Sequence, residues 1–176
     1  IEDRNFYIVT GANMAGKSVL LKTLALTQYL FQFGFYVPAQ RASLCVVEEI
    51  ITSIGDRQSE LSGLSSFAVE ILTIDKIIQE GRAGKRVLAL VDELARTTNP
   101  EEGKVLVGNF IRLTTQLGIT ALVTTHYGGI EASCRRLRVK GLQLKEGQVV
   151  TTGNISDFMD YALVETDADE VPMEAF

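Results

Sequence analysis

The sequence predicts an α/β fold: a mostly parallel sheet flanked by helices, with a C-terminal antiparallel hairpin. Three observations predict it. Short apolar runs alternate with longer stretches of helical periodicity, the pattern of strand–helix–strand units. Val87–Val91 is an uninterrupted apolar run bounded by charge, as in a parallel strand covered on both faces. Gly11–Ala12–Asn13–Met14–Ala15–Gly16–Lys17–Ser18 fits G-x-x-x-x-G-K-[ST], and it lies between one such strand and one such helix.

Taken in order, Phe6–Thr10 is short, apolar and β-prone, and reads as a buried strand. A glycine-containing loop follows, then a helix from about Lys17 to Phe33, with Gly34 as its stop. Ala42–Val47 reads as a second strand, and residues 55–64, rich in Gly, Ser and charge, as a loop. From Ser65 to Gln79, Phe67, Ile71, Ile74 and Ile78 recur at helical spacing, and Gly81 is read as the end of that amphipathic helix. After Val87–Val91, Asn99 caps a helix, Pro100 takes its first position, and Glu101 and Glu102 face its dipole. That helix runs to about Leu117 and stops at Gly118. Ile119–Thr124 is another strand. Arg136–Leu144 and Gln148–Thr152, joined at Glu146–Gly147, read as a hairpin. Residues 1–153 are expected to form one domain, and 154–176 an acidic segment that begins a truncated helical region.

Composition narrows the class. The chain has 176 residues, 46% hydrophobic and 22% charged, enough apolar surface to exclude disorder as the whole account. No apolar run is long enough to span a bilayer, so no membrane partner is expected. Ile1–Arg4 lacks the pattern of a signal peptide, and the start at Ile1 reads as a cut from a longer protein. Cys45 and Cys134 are far apart and read as two reduced thiols of a cytoplasmic domain. The net charge is −5, but eight acidic residues and no basic ones follow Lys145, which leaves residues 1–145 at +3. That balance neither demands nor excludes nucleic acid. The basic cluster Arg135, Arg136, Arg138, Lys140 and Lys145 reads as a solvated edge strand, where charge blocks unwanted pairing.

The motif residues point to nucleotide chemistry on a P-loop NTPase fold. Glycines let the backbone wrap phosphate oxygens with its N–H groups inward, and the helix that follows adds positive potential. Lys17 has the reach for the β- and γ-phosphates of ATP, and Ser18 has a hydroxyl for Mg²⁺. Asp92, at the carboxyl end of a buried strand, is the natural second Mg²⁺ contact, and Glu93 can orient or deprotonate an attacking water. Two acids at a strand end would otherwise be read as helix caps or lysine partners. Thr124–Thr125–His126–Tyr127 ends the next strand and brings His126, the one histidine, to the same sheet edge, in reach of a γ-phosphate or a water. Ser65, by residue type and position alone, is equally a helix cap or an anion contact.

Four segments together resemble the ATPase domain of MutS-type proteins, within the ABC class of P-loop ATPases. Thr10–Ser18 resembles that family's TGPNMGGKS. Ile54–Gly55 through Leu61–Glu70 resembles its IG…S-T-F-x-x-E segment. Asp92–Glu93–Leu94 through Pro100–Gly103 resembles DELGxGTxPxEG, and Thr125–His126–Tyr127 resembles its THY switch. The resemblance covers about Tyr7 to Leu144. It implies an Mg²⁺-dependent ATPase that dimerises on ATP through composite sites. Gly11, Ala12, Asn13, Met14, Ala15, Gly16, Lys17, Ser18 and Val19 would bind the nucleotide; Ser18 and Asp92 would hold Mg²⁺; Glu93, His126 and Lys17 would be catalytic. Ser65 would reach the partner's γ-phosphate in trans. The resemblance implies DNA mismatch repair, with DNA held by domains outside this segment. It also leaves a MutS-related branch that reactivates a cobalamin-dependent amino acid aminomutase, on the strength of Ala95–Thr98 and Met159–Tyr161. A nucleotide-gated dimerisation module with negligible hydrolysis is the third reading. Departures from the family pattern are Ala95 and Thr97 for glycines after the Asp-Glu pair, and Ala12 and Ala15 for Pro and Gly in the loop.

Overall fold

The computed structural model describes residues 6–11, 15–55, 66–96, 98–130, 132–143, 151 and 154–166. The elements are β1 (Phe6–Thr10), α1 (Lys17–Gln32), β2 (Glu49–Ser53), α2 (Ser66–Arg82), β3 (Val87–Val91), α3 (Pro100–Gln116), β4 (Thr120–Thr124), β5 (Arg135–Leu142), a 3-10 turn (Ile155–Phe158) and β6 (Met159–Glu165). They build one mixed sheet in the order β2-β3-β4-β1-β5-β6. Every adjacent pair is parallel except β5 and β6. The α/β class with a mostly parallel sheet and a C-terminal antiparallel pair is therefore observed.

The strands are apolar on both faces because both faces are covered. Phe6 and Ile8 of β1, Val87, Ala89 and Val91 of β3, and Ala121 and Val123 of β4 point to one side. There they meet Ile77 of α2 and Val107, Phe110 and Ile111 of α3. Val9, Leu90 and Leu122 alternate to the other side, against Leu21, Leu20 and Leu24 of α1. The chain leaves β1 across the α1 face to the far edge, then returns through α2 and α3 to β4 beside β1, and only then crosses to β5. The order thus reverses at β1, and the carboxyl ends of β1 and β4 are where ligands collect in such sheets.

The second strand is not where the apolar pattern puts it. Ala42–Val47 is outside the sheet, and β2 is Glu49–Ser53, in register with Val87–Val91. Two glutamines of α1 explain the difference. Gln28 Nε2 donates to the Cys45 carbonyl at 2.8 Å, and Val47 N–H donates to Gln32 Oε1 at 2.8 Å. The backbone around 45–47 is satisfied by side chains and has no need of a ladder. Ile51, by contrast, is buried in the core next to Ala89.

Gly81 does not end α2. The helix runs to Arg82 and closes at Gly84, whose φ of +78° is the left-handed position of a C-terminal cap. Lys85 N–H bonds back to Glu80 O and Gly84 N–H to Gly81 O, which completes that motif. Gly81 instead lets Ile119 pack flush on the helix. The Asn99 cap is observed, with its side chain accepting from Glu101 N–H at 3.0 Å.

The basic strand is not an edge. β5 lies between β1 and β6, and its antiparallel partner is Met159–Glu165 rather than Gln148–Thr152. Of that expected partner only Thr151 is described, and it is not in a strand; Lys145 and the Glu146–Gly147 turn lie outside the described residues, as do 56–64 of the expected loop. The charges of β5 have partners: Arg135 pairs with Glu165, Lys140 with Asp160 at 2.9 Å, and Arg136 donates to the Ile130 carbonyl. The described part of the expected helical terminus, 154–166, is a 3-10 turn and a strand. No helix among the described residues is long and apolar enough to cross a membrane.

Gly81→Ala tests the helix-to-sheet contact. Alanine gains about 1 kcal/mol in helix propensity. Its Cβ, however, would fall 2.8 Å from Ile119 Cγ1 and closer still to Cδ1, and Ile119 is fully buried. Overpacking of this kind costs about 1–3 kcal/mol. The expected net result is a melting temperature lower by up to a few degrees in thermal unfolding; a raised value would refute the close packing.

Candidate functional site

The candidate site lies at the carboxyl ends of β1, β3 and β4. The loop from Gly11 to Gly16 leaves β1, and Gly16, at φ +89°, starts α1. No side chain caps α1, and its first turn holds no acid. The orphan N–H groups of that turn and the positive end of the helix dipole therefore lie at this sheet edge without an acidic partner from the helix itself, the arrangement that receives an anion. Lys17 is only 6% exposed, and its Nζ donates to the Gly11 carbonyl at 2.7 Å. A buried ammonium is thus held across the mouth of the loop.

Asp92 stands opposite. Ser18 Oγ donates to Asp92 Oδ2 at 2.5 Å, and Thr124 Oγ1 donates to Asp92 Oδ1 at 2.6 Å. Asp92 N–H donates to the Ser53 carbonyl at 2.7 Å. The carboxylate thereby ties the end of β3 to the end of β4 and the start of α1, and the Asp92 main chain adds the end of β2. The same Thr124 oxygen accepts the Glu93 N–H at 2.8 Å. Glu93 adopts a left-handed φ of +49°, and its carboxylate pairs with Arg96 at 3.1 Å. His126 is exposed just beyond β4, its ring 4.2 Å from that of Tyr127.

Lys17, Ser18, Asp92, Glu93 and His126 are therefore at one edge, with Ser18 and Asp92 in direct contact. Gly11, Ala15 and Gly16 shape the loop. Val19 is 64% exposed, its side chain turned out to solvent. Ala12, Asn13, Met14 and Ser65 lie outside the described residues. Among the described residues no group of three or more His, Cys, Asp or Glu side chains could hold a metal ion. The Ser18 and Asp92 oxygens suit a hard cation that takes few protein ligands and completes its shell with phosphate and water, as Mg²⁺ does.

Three residues join the site through tertiary contacts that no motif describes. Thr124 is one, although strand register points to it: Val91 pairs with Val123, so the next residues, Asp92 and Thr124, are neighbours. Glu70 of α2 accepts the Ala95 N–H at 2.6 Å. Tyr161 of β6 lies against Gly16, where an added Cβ would be 2.8 Å from Tyr161 Cδ1. Nothing local in the sequence points to Tyr161, because only the β5–β6 pairing brings it there. Burial raises the Glu70 pKa above its ordinary value, and the Ala95 N–H partly offsets that by stabilising the carboxylate.

Comparison with known proteins adds the family. Residues 7–166 match the family described as MutS domain V. "Endonuclease MutS2" of Caldicellulosiruptor bescii is 37% identical over 131 residues, 74% of this chain and 16% of that protein. "DNA mismatch repair protein MutS" of Lactobacillus johnsonii is 38% identical over 127 residues, 72% of this chain and 15% of that protein. "Endonuclease MutS2" of Thermus thermophilus is 35% identical over 131 residues, 74% of this chain and 17% of that protein. The chain spans about one sixth of the length of these curated relatives.

Two outcomes follow from the site geometry. Thr124→Val keeps the shape but removes a donor to Asp92 and the acceptor for Glu93 N–H. The expected loss is about 1–3 kcal/mol in denaturant unfolding, as for an orphaned buried group; a neutral result would show that the two hydrogen bonds carry no stability. Glu70 provides a pH test. An acid with a raised folded pKa costs stability once ionised; that cost is full above the folded pKa and absent below its ordinary 4.5. Glu70→Gln removes it, so the unsubstituted protein should gain on this variant as pH falls from 7 toward 4.5. A melting-temperature gap independent of pH would contradict the assigned burial.

Proposed function

The chain belongs to the MutS domain V family, and on that premise we propose that it is an ATP-binding and hydrolysing domain. In this reading it closes as a homodimer on ATP and transmits that closure to DNA-handling parts of a longer protein. The observation that carries the reading is the 2.5 Å contact between Ser18 Oγ and Asp92 Oδ2. It joins the glycine loop to the acidic end of β3, the two halves that an Mg²⁺–nucleotide site of the P-loop kind requires.

Each residue then has a task. The backbone of Gly11–Ser18 and Val19 (Ala12, Asn13, Met14, Ala15 and Gly16 included) receives the phosphates, with Lys17 exchanging the Gly11 carbonyl for phosphate oxygens. Ser18 and Asp92 hold Mg²⁺, which when bound neutralises charge on the phosphates. Thr124 fixes Asp92 and the main chain of Glu93 together. Glu93 orients and accepts a proton from the attacking water. His126 is placed to hydrogen-bond the γ-phosphate or that water. Ser65, which precedes α2, contacts the γ-phosphate of the partner's site, so neither protomer's site is complete alone.

DNA mismatch repair is the preferred setting. The relatives' names, a DNA mismatch repair protein and an endonuclease, support DNA as the coupled partner over an aminomutase client. A cytoplasmic setting goes with that reading. The acids at 92 and 93 and the hydroxyl at 18 argue for hydrolysis over a binding-only module.

Steady-state ATP hydrolysis by the intact protein tests the reading, alone, with matched duplex and with a duplex carrying one mismatch. Turnover should be Mg²⁺-dependent and altered by the mismatch beyond the effect of matched DNA. Glu93→Gln should lower kcat by about 10²-fold or more while ATP still binds. Turnover indifferent to all DNA would move the coupled partner to a protein client. No turnover at all would leave the dimerisation module.

A further inference from the structure

The loop after Asp92 carries backbone conformations that side chains normally avoid. Glu93 has φ +49° and Ala95 has φ +66°, both in the left-handed region and neither a glycine. Each such residue costs about 1–2 kcal/mol, and it persists only where its surroundings hold it. Ala95 is completely buried.

What holds it comes from three directions. The Ala95 N–H donates to Glu70 Oε1 of α2 at 2.6 Å. The Ala95 carbonyl accepts the Tyr127 hydroxyl at 2.8 Å and the Thr98 hydroxyl at 2.6 Å. Tyr127 is itself wedged: a Cβ on Gly103 of α3 would lie 2.6 Å from both its Cζ and its hydroxyl oxygen, so the ring rests on the helix main chain. Its own N–H donates to Thr125 Oγ1 at 3.1 Å. One residue, two beyond Glu93, is therefore gripped on both its peptide units, from α2 and from the segment that bears His126.

We propose that Glu70 and Tyr127 are positioning residues for ATP hydrolysis: by clamping the Ala95 main chain they hold the turn that aims Glu93. This rests on the ATPase reading above. Neither side chain touches the reacting groups in this assignment; each acts through the backbone of Ala95. Because one jaw of the clamp belongs to α2 and the other adjoins His126, a shift of either element reaches Glu93 through one residue.

The test is a set of variants in the intact protein, with kcat, KM, ATP affinity and melting temperature measured on each. Glu70→Ala should lower kcat by about tenfold, as a misaimed group does, with ATP affinity within about twofold. Glu70→Gln keeps an oxygen acceptor for the Ala95 N–H and should recover kcat to within about threefold. Tyr127→Phe should lower kcat and spare affinity, as Glu70→Ala does. In a Glu93→Gln background Glu70→Ala should add no further loss. Should Glu70→Ala fail to fold, the Tyr127→Phe and Glu70→Gln pair carries the same comparison. A change confined to melting temperature or to affinity, or a Gln variant as impaired as Ala, would overturn the clamp. Absence of turnover in the unsubstituted protein would overturn the ATPase reading instead, and the clamp with it.

Discussion

The carboxylate of Asp92 is the tie on which the site depends. A carboxylate at the end of a buried strand must be solvated by something, since isolated burial of charge is very costly. Here the protein supplies hydroxyl donors, Ser18 on one oxygen and Thr124 on the other. The partners come from α1 and β4, elements far from β3 in sequence, so satisfying this one charge also sets the ends of β3 and β4 and the start of α1 relative to one another. The sheet order makes it possible: β4 lies between β1 and β3, so a β4 hydroxyl is the nearest group that can bridge to the residues beyond β3. The donor set is therefore assembled by the fold before any cation or nucleotide arrives, which is what preorganises the site.

Much of that is legible from residues alone, for definable reasons. β1, β3 and β4 are buried on both faces, and a run as short and as uniformly apolar as Val87–Val91 suits little besides a strand in that position. α3 announces itself by Asn99, Pro100 and two acids, because capping chemistry is local. The failures share a cause: each depends on a partner distant in sequence. Ala42–Val47 has strand composition, but Gln28 and Gln32 take up its backbone groups. Gly81 resembles a stop, but its lack of a side chain serves Ile119 of the segment leading into β4. The charges of β5 resemble an edge, but Glu165 and Asp160 of β6 answer them. In the site, Lys17, Ser18, Asp92 and Glu93 follow from a motif whose spacing carries its mechanism. Thr124 acts through strand register, which no motif records; Glu70 ends a segment that carries the resemblance, but its bond to the Ala95 N–H follows only from how α2 packs.

The replacement of glycine by Ala95 illustrates how strain and function are connected. A glycine would adopt φ +66° at little cost and leave the turn after Glu93 free to open. Alanine makes the same conformation costly, so the turn is held only while Glu70, Thr98 and Tyr127 bind its peptide groups. The departure from the family pattern is thus compensated within the chain, by hydrogen bonds on both sides of the altered residue. It makes the geometry at Glu93 conditional on how α2 and the His126 segment pack.

β6, absent from any local reading, completes the site from the opposite side. The cross-strand ion pairs Arg135–Glu165 and Lys140–Asp160 are solvent-exposed, where water and salt screen them and they add little. They cannot be what seats the strand; the antiparallel ladder with β5 must do most of that. The ladder is irregular between Val139 and Gly141, and a bulge of that kind turns the side chains that follow it. The result is a wall built close to the loop: Gly11 lies against Val139, Gly141 faces Ala15, and Gly16 lies against the Tyr161 ring. Any side chain at Gly11 or Gly16 would collide with that wall or strain the backbone. Gly11 and Gly16 therefore meet two demands, positive φ values of +150° and +89° and the close approach of β5 and β6.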